Sequence, residues 1–191
     1  MPPSHTPTDA AAPSSSGHLD RLDRAVSRRM SMDWPHPRWS TLPLGGISLS
    51  ANYGVLWYVL CLMPWALGAE RPFWKAVYVA VPVTLVEMTG FAIKHLVGRR
   101  RPPVADPTQP RQIPLPASKS FPSSHASMAV VGTFTLGTLY PQWVPALLAL
   151  TLVLCFSRVY LGVHYLGDVL GGVVYGLVWG AAWTLLVPAP V

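Results

Sequence analysis

Three short stretches hold most of the polar chemistry in this 191-residue chain. The first runs from Lys94 to Arg101-Pro102. The second is Phe121-Pro122-Ser123-Ser124-His125, and the third joins Ser157-Arg158 to His164 and Asp168. Lys94, Arg101 and Arg158 supply three cations. A guanidinium offers a planar fork matched to phosphate oxygens, and an ammonium a compact point charge. Pro122 before Ser123 suits a helix start, with Pro tolerated in the first turn and Ser as the cap. The free amides and dipole of such a start favour an anion. Together these groups read as a phosphate cradle. His164 and Asp168 stand four apart at the start of an apolar run, a spacing that puts both on one helix face. The carboxylate can then hold one imidazole nitrogen and leave the other free to attack. His125, beside the cradle, is placed to protonate a departing oxygen. Nucleophile, orienting carboxylate, acid and charge neutralisation make a complete set for phosphoryl transfer, where charge stabilisation contributes most.

The elements that carry these residues must lie in a bilayer. Hydrophobic residues make up 51% of the chain and charged ones only 12%, against about 25% charged in a soluble domain. The net charge is +6, but the basic residues sit at the ends of apolar runs and do not form a solvated face, which excludes a nucleic-acid partner. Five apolar runs, at about 44–68, 73–98, 123–140, 143–161 and 164–187, approach or exceed the roughly 18 residues that a spanning helix needs. The run at 123–140 is marginal in length, and Ser48, Ser50 and Asn52 interrupt the first. Trp57, Trp65, Trp74 and Trp143 fall near run ends, as interfacial anchors do. Pro64 and Pro82 are expected to bend their helices. The expected fold is therefore an all-α integral membrane bundle of about five transmembrane helices. By span count, all three polar stretches lie on one membrane face.

Ahead of the bundle, residues 1–17 are Pro-, Ser-, Thr- and Ala-rich and read as a disordered tail. Residues 18–43 read as an amphipathic surface segment, with Leu19, Leu22, Val26 and Met30 interleaved with Arg21, Arg24, Arg28 and Arg29. A solvated tail helix fits that pattern equally well. Residues 44–191 form the membrane-embedded domain. Between the second and third runs, 99–122 holds seven prolines and no apolar periodicity, a loop long enough to have a task. Cys61 and Cys155 lie within apolar runs and read as small hydrophobes, neither disulfide partners nor metal ligands.

The three polar stretches resemble the three motifs of the type 2 phosphatidic acid phosphatase family, whose site is similar to those of vanadium haloperoxidases and bacterial non-specific acid phosphatases. Lys94 with Arg101-Pro102 matches the first motif, Pro122-Ser123-Ser124-His125 the second, and Ser157-Arg158 with His164 and Asp168 the third. The resemblance covers about residues 87–175. It implies a phosphohistidine on His164, supported by Asp168, with His125 protonating the leaving group and then activating water. It implies that Lys94, Arg101, Ser123 and Arg158 hold the phosphate, and that no metal or other cofactor takes part. Ser124 stands where the family usually has Gly. A Ser there keeps the backbone N–H and adds a hydroxyl, so the expectation is altered selectivity with activity retained.

A site at a span end admits a head group while the tail stays in the bilayer. The expected substrate is therefore a membrane lipid phosphate or diphosphate. The resemblance implies polyprenyl diphosphate, phosphatidic acid, phosphatidylglycerol phosphate or a prenyl-linked sugar phosphate. A lipid-to-lipid phosphotransferase would use the same residues. With five spans, twelve Lys/Arg share the face of the site against two opposite, which orients it toward the cytoplasm of a bacterial inner membrane. Arg99 and Arg100 read as snorkelling or head-group contacts, and His95 as facing an interface. Glu87, seven residues before Lys94 on nearly the same face, is expected to pair with a polar group in the bundle. The sequence leaves the oligomeric state open.

Overall fold

The computed structural model describes residues 17–190, so the tail expectation for 1–17 falls almost wholly outside the described residues. Helix α1 is His18–Arg28, continued by a π-helical turn, Arg29–Asp33. Then follow α2 (Arg38–Ser50), a 3₁₀ turn at Asn52–Gly54, α3 (Val55–Leu60) and α4 (Met63–Ala66). The long α5 (Pro72–Val97) precedes a short α6 (Pro102–Ala105). After the Pro-rich loop come α7 (Ser124–Leu139), α8 (Val144–Tyr160) and α9 (Leu166–Leu186). No strand occurs among the described residues.

The helices containing α5, α8 and α9 are each long and apolar enough to cross a membrane. A fourth crossing follows if the pair Arg38–Ser50 and Asn52–Ala66, bent by 56°, counts as one span. The bend has a local cause: Tyr53 (φ 54°) and Gly54 (φ 76°) are both left-handed, a conformation that a helix cannot continue through. Pro64 is the second residue of α4 and bends nothing, because a first-turn position has no helical hydrogen bond to lose. Pro82 lies within α5, which continues through it as one helix. Because the first run breaks, Trp57 is not an interfacial anchor. It is fully buried, with its ring close against Gly132.

Helix α7 has 16 residues, about 24 Å of rise, short of a hydrocarbon core of roughly 30 Å. It is enclosed by α5, α8 and α9, and eleven of its residues are buried. Contact with α9 is closest, because α9 presents Gly172, Gly176 and Gly180 at four-residue spacing. A Cβ at Gly176 would stand 2.7 Å from Ser127 O, and one at Gly180 would stand 2.7 Å from the Phe134 ring. Small residues in such a stripe let two backbones approach. The approach brings the start of α7, with Ser123 to His125, against the start of α9, with Asp168. The Ser123 N–H donates to Asp168 O at 2.9 Å.

Helix α1 reverses the usual amphipathic arrangement for a soluble protein. Its polar side, Asp20, Asp23, Arg24 and Ser27, faces α9 and the 99–101 turn. Leu19, Leu22 and Val26 are exposed.

Candidate active site

The first stretch is delivered by the end of α5. Lys94 lies in its last turn, and Gly98 takes the left-handed conformation (φ 66°) that terminates the helix. This turn sends Arg99 and Arg101 in different directions. The Lys94 ammonium donates to Pro122 O at 2.6 Å. Arg101 donates through Nε to Ser118 O (2.8 Å), and through Nη1 to Val163 O (3.0 Å) and His164 Nε2 (2.9 Å).

The second stretch begins α7 one residue later than its sequence suggests. Pro122 precedes the cap and is outside the first turn, and the Phe121–Pro122 peptide is cis. Ser123 occupies the cap position but makes no side-chain cap bond, and its own N–H is used by Asp168 O. His125 donates from Nε2 to the backbone carbonyl of Ser48 at 2.9 Å, since a carbonyl can only accept. That leaves Nδ1 as the nitrogen available for proton exchange.

The third stretch closes the site. Arg158, in the last turn of α8, binds Ser48 Oγ through Nη1. Its carbonyl accepts from the N–H groups of Val163 and His164, both at 3.1 Å. His164 and Asp168 do not share a helix face, because His164 precedes the cap residue Tyr165 and α9 starts at Leu166. They meet through the capping turn instead. Asp168 Oδ2 accepts from the Tyr165 N–H at 2.9 Å and lies 3.4 Å from His164 Nδ1. Ser120 Oγ bridges the pair, donating to Asp168 Oδ2 and lying 3.4 Å from His164 Nδ1. Arginine is a donor only, so His164 Nε2 presents its lone pair to Arg101 and the ring proton sits on Nδ1, toward the carboxylate. Burial, followed by the charges of Arg101, Arg158 and Lys94, holds His164 well below the ordinary histidine pKa and keeps the ring neutral. Arg101 remains a cation at neutral pH, as a guanidinium does.

Six of the eight predicted site residues, Lys94, Arg101, Ser124, His125, Arg158 and His164, line one cavity of about 220 Å³. Ser123 and Asp168 stand behind its wall, both fully buried. Lys94, Arg101 and Arg158 are 3%, 4% and 1% exposed, and none is ion-paired with a carboxylate among the described residues. Arg158 Nε and the hydroxyls of Ser123 and Ser124 are buried without a hydrogen-bond partner among those residues. Unpaired buried cations and donors are costly, and an anion in the cavity would offset that cost. Ser157 only bonds locally, to Leu154 O.

Arg99 was not legible as part of this assembly. It does not snorkel. Nη1 donates to Asp168 Oδ1 at 2.8 Å, and Nη2 to Asp23 Oδ2 at 2.7 Å and Asp20 Oδ1 at 3.1 Å. Its guanidinium also lies over the Tyr165 ring, 4.2 Å from the centroid. Helix α1 then caps α9 directly: Asp23 Oδ1 accepts from Gly167 N–H at 2.7 Å, and Ser27 Oγ from Leu166 N–H at 2.8 Å. These are orphan donors of the first helical turn. Ser120 likewise lies in the Pro-rich loop with no pattern to mark it. Arg100 and His95 are exposed, as befits an interface.

Residues 74–190 match the model of the PAP2 superfamily. The chain belongs to that family. Among curated PAP2-type relatives, a decaprenylphosphoryl-5-phosphoribose phosphatase of Mycobacterium tuberculosis is 31% identical over 129 residues, 65% of this chain and 67% of the relative. A phosphatase of the same name from Mycolicibacterium smegmatis is 36% identical over 104 residues, 54% of each chain. The fold resembles that of a transmembrane PAP2-type phosphatidylglycerolphosphate phosphatase from Bacillus subtilis, at TM-score 0.73 and 22% identity over 90% of this chain and 87% of the other. It also resembles Aquifex aeolicus LpxE, at TM-score 0.71 and 20% identity over 85% and 94%.

Proposed function

We propose that this membrane protein hydrolyses the phosphate ester of a lipid through a phosphohistidine on His164. The observation that carries the reading is the orientation of His164: its Nε2 lone pair faces Arg101 at 2.9 Å on the cavity wall, and Asp168 holds the opposite side of the ring. In the first step Arg101 turns its N–H from His164 Nε2 to a phosphoryl oxygen, the freed Nε2 lone pair attacks phosphorus, and the bond to the lipid oxygen breaks. His125, in the imidazolium form that a phosphate anion beside it favours, gives its Nδ1 proton to that oxygen. In the second step His125 takes a proton from water, whose oxygen attacks phosphorus as the N–P bond breaks. Inorganic phosphate leaves and both histidines return to their starting forms. Lys94, Arg101, Arg158 and the Ser124 hydroxyl hold the phosphoryl oxygens throughout, with Ser123 behind them at the start of α7. The imidazolium that forms during attack is stabilised by Asp168, which keeps its charge.

The test is phosphate release in detergent from a panel of lipid phosphates, with a chelator present and no acceptor lipid. Release should persist with chelator, be blocked by vanadate, and fall on the order of a thousandfold or more in His164→Ala. Release that requires an acceptor lipid would establish the phosphotransferase instead. Loss of activity with chelator would overturn the metal-free chemistry.

We also infer that the rim carrying the site faces the cytoplasm of a bacterial inner membrane. Support comes from α1, which brings Arg21, Arg24, Arg28 and Arg29 to the rim of the site through Asp23, Arg99 and the α9 caps. After Lys94, Arg101 and Arg158 are set aside, nine Lys/Arg remain on this face against Arg71 and Lys75 on the other. Impermeant labelling of a cysteine at position 100 from the periplasmic side should fail if the inference holds.

A further inference from the structure

Glu87 lines the cavity already described, its Oε2 without a hydrogen-bond partner among the described residues, and belongs to that site. Helix α1 lies outside it and presents three faces. At about 100° per residue, Asp20, Asp23, Arg24 and Ser27 form one stripe and Leu19, Leu22 and Val26 a second, with Arg21, Arg28 and Arg29 on the remaining side. The first stripe binds Arg99 and caps α9. No residue of the second enters the hydrophobic core. Leu22 and Val26 instead border one open groove with Leu166 and Leu170. Leu170 begins the exposed face of α9 that Val174, Leu177 and Val178 continue. That face of a spanning helix meets lipid, so the apolar side of α1 is continuous with the hydrocarbon-facing surface. In the third stripe, Arg21 and Arg29 are exposed and pair with no carboxylate among the described residues.

An apolar stripe bordered by unpaired arginines fits the boundary between acyl chains and anionic head groups. Two such basic faces would repel each other, which disfavours a second copy of the chain as the partner. We propose that α1 docks on an anionic lipid surface and that this docking holds Arg99 against Asp168, coupling turnover to the surface. Arg99 gives Nη2 to Asp20 and Asp23 on α1 and Nη1 to Asp168. With α1 lifted, Arg99 keeps one of its three carboxylates, and the amides of Leu166 and Gly167 lose their caps. The first turn of α9, which carries Asp168, then loosens. The imidazolium that forms on His164 loses alignment with its carboxylate, and kcat falls. The coupling rests on the hydrolytic reading above, whereas the docking does not.

The experiment compares kcat in lipid discs of phosphatidylcholine with kcat in discs rich in phosphatidylserine, which carries no phosphate monoester. The substrate is a short-chain lipid phosphate that the protein hydrolyses in detergent. Repulsion between that anion and the surface falls on KM, so kcat at saturation reads the coupling. Anionic discs should raise kcat about threefold to tenfold, and about 1 M salt, which shortens screening to about 3 Å, should abolish the rise. Each ratio compares one preparation in two lipids, so a variant that folds poorly still reports. The double variant Leu22→Asp, Val26→Asp should stay at the lower kcat in both discs. Arg21→Gln with Arg29→Gln should keep the activity in neutral discs and lose the rise. Equal wild-type kcat in the two discs, or an undiminished rise in the aspartate variant, overturns the coupling. Docking is read separately, from a bimane on Leu19→Cys in a Cys155→Ala background, quenched by lipids brominated near the head group. Quenching should occur in anionic discs holding one copy and be lost in the aspartate variant. Its absence in the parent overturns the docking, and its loss only in discs holding two copies assigns the face to a second copy. No phosphate release in any lipid overturns the hydrolytic reading and the coupling together, while quenching still decides the docking.

Discussion

Two arginines two residues apart flank the His164–Asp168 pair from opposite sides, and their surroundings differ in sign. On the cavity side, Arg101 joins Lys94 and Arg158 in a group of buried cations with no carboxylate ion pair among the described residues. On the rear side, Arg99 meets three carboxylates, Asp168, Asp20 and Asp23, at 2.7 to 3.1 Å. The same side chain thus does two kinds of work. An arginine among unpaired cations contributes charge to whatever anion enters, whereas one saturated by carboxylates contributes geometry. Gly98 makes the division possible, because its left-handed turn separates the directions of the two guanidinium groups.

That contrast breaks most sharply if the cavity-side cation is removed. Arg101→Met should lower kcat/KM on the order of a hundredfold to a thousandfold, because it takes charge from the transferring phosphoryl group. A smaller loss than in Arg99→Met would reverse the assignment. Arg99→Met, in turn, should lower kcat about tenfold with KM nearly unchanged, since it frees one oxygen of Asp168 and touches no substrate. Arg99→Lys should recover part of the loss by keeping one charge-assisted bond. An effect on KM equal to that on kcat would place Arg99 in the cradle instead.

A third test uses pH. With His164 held neutral by burial and by three cations, the folded chain takes up that proton only well below the value near 6.5 at which the unfolded chain does. The unfolded state then binds more protons in that window, so this group's contribution is fully present above about pH 6.5 and is lost as pH falls below it. Thermal unfolding in detergent from pH 7.5 to 5 should show the loss, and His164→Asn should lessen it. Equal slopes in both proteins would mean that the ring is not held neutral. The smallest expected effect is at Ser124, whose hydroxyl lines the cavity. Ser124→Gly should change kcat/KM by about threefold or less while altering the preference among lipids. A loss of tenfold or more would make the hydroxyl part of the essential cradle.

The cavity side was legible in the sequence and the rear side was not, for physical reasons. Lys94, Arg101, His125, Arg158 and His164 announce themselves because ionisable groups within apolar runs are costly, and their spacing relates them to one another. Arg99 sits in a run of three arginines at a span end, where a snorkelling residue looks identical, and its partners Asp20 and Asp23 are more than seventy residues away. The capping role of α1 was hidden because its polar face turns inward, the reverse of what amphipathic spacing suggests for a packed helix. Trp57 was misplaced because hydropathy sees an apolar run and not the left-handed pair at Tyr53 and Gly54 that breaks it. The meeting of His164 and Asp168 was anticipated from four-residue spacing, yet it arises from a capping turn with the histidine outside the helix.

Ser48 in α2 supports two remote parts of the site at once, its carbonyl holding His125 and its hydroxyl holding Arg158. Proton delivery and anion capture therefore share one anchor on a segment that borders lipid. An apolar wedge that shifted α2 against α8 would disable both together without occupying the head-group cavity. Inhibition by that route would be non-competitive with substrate and insensitive to the chemistry of the head group.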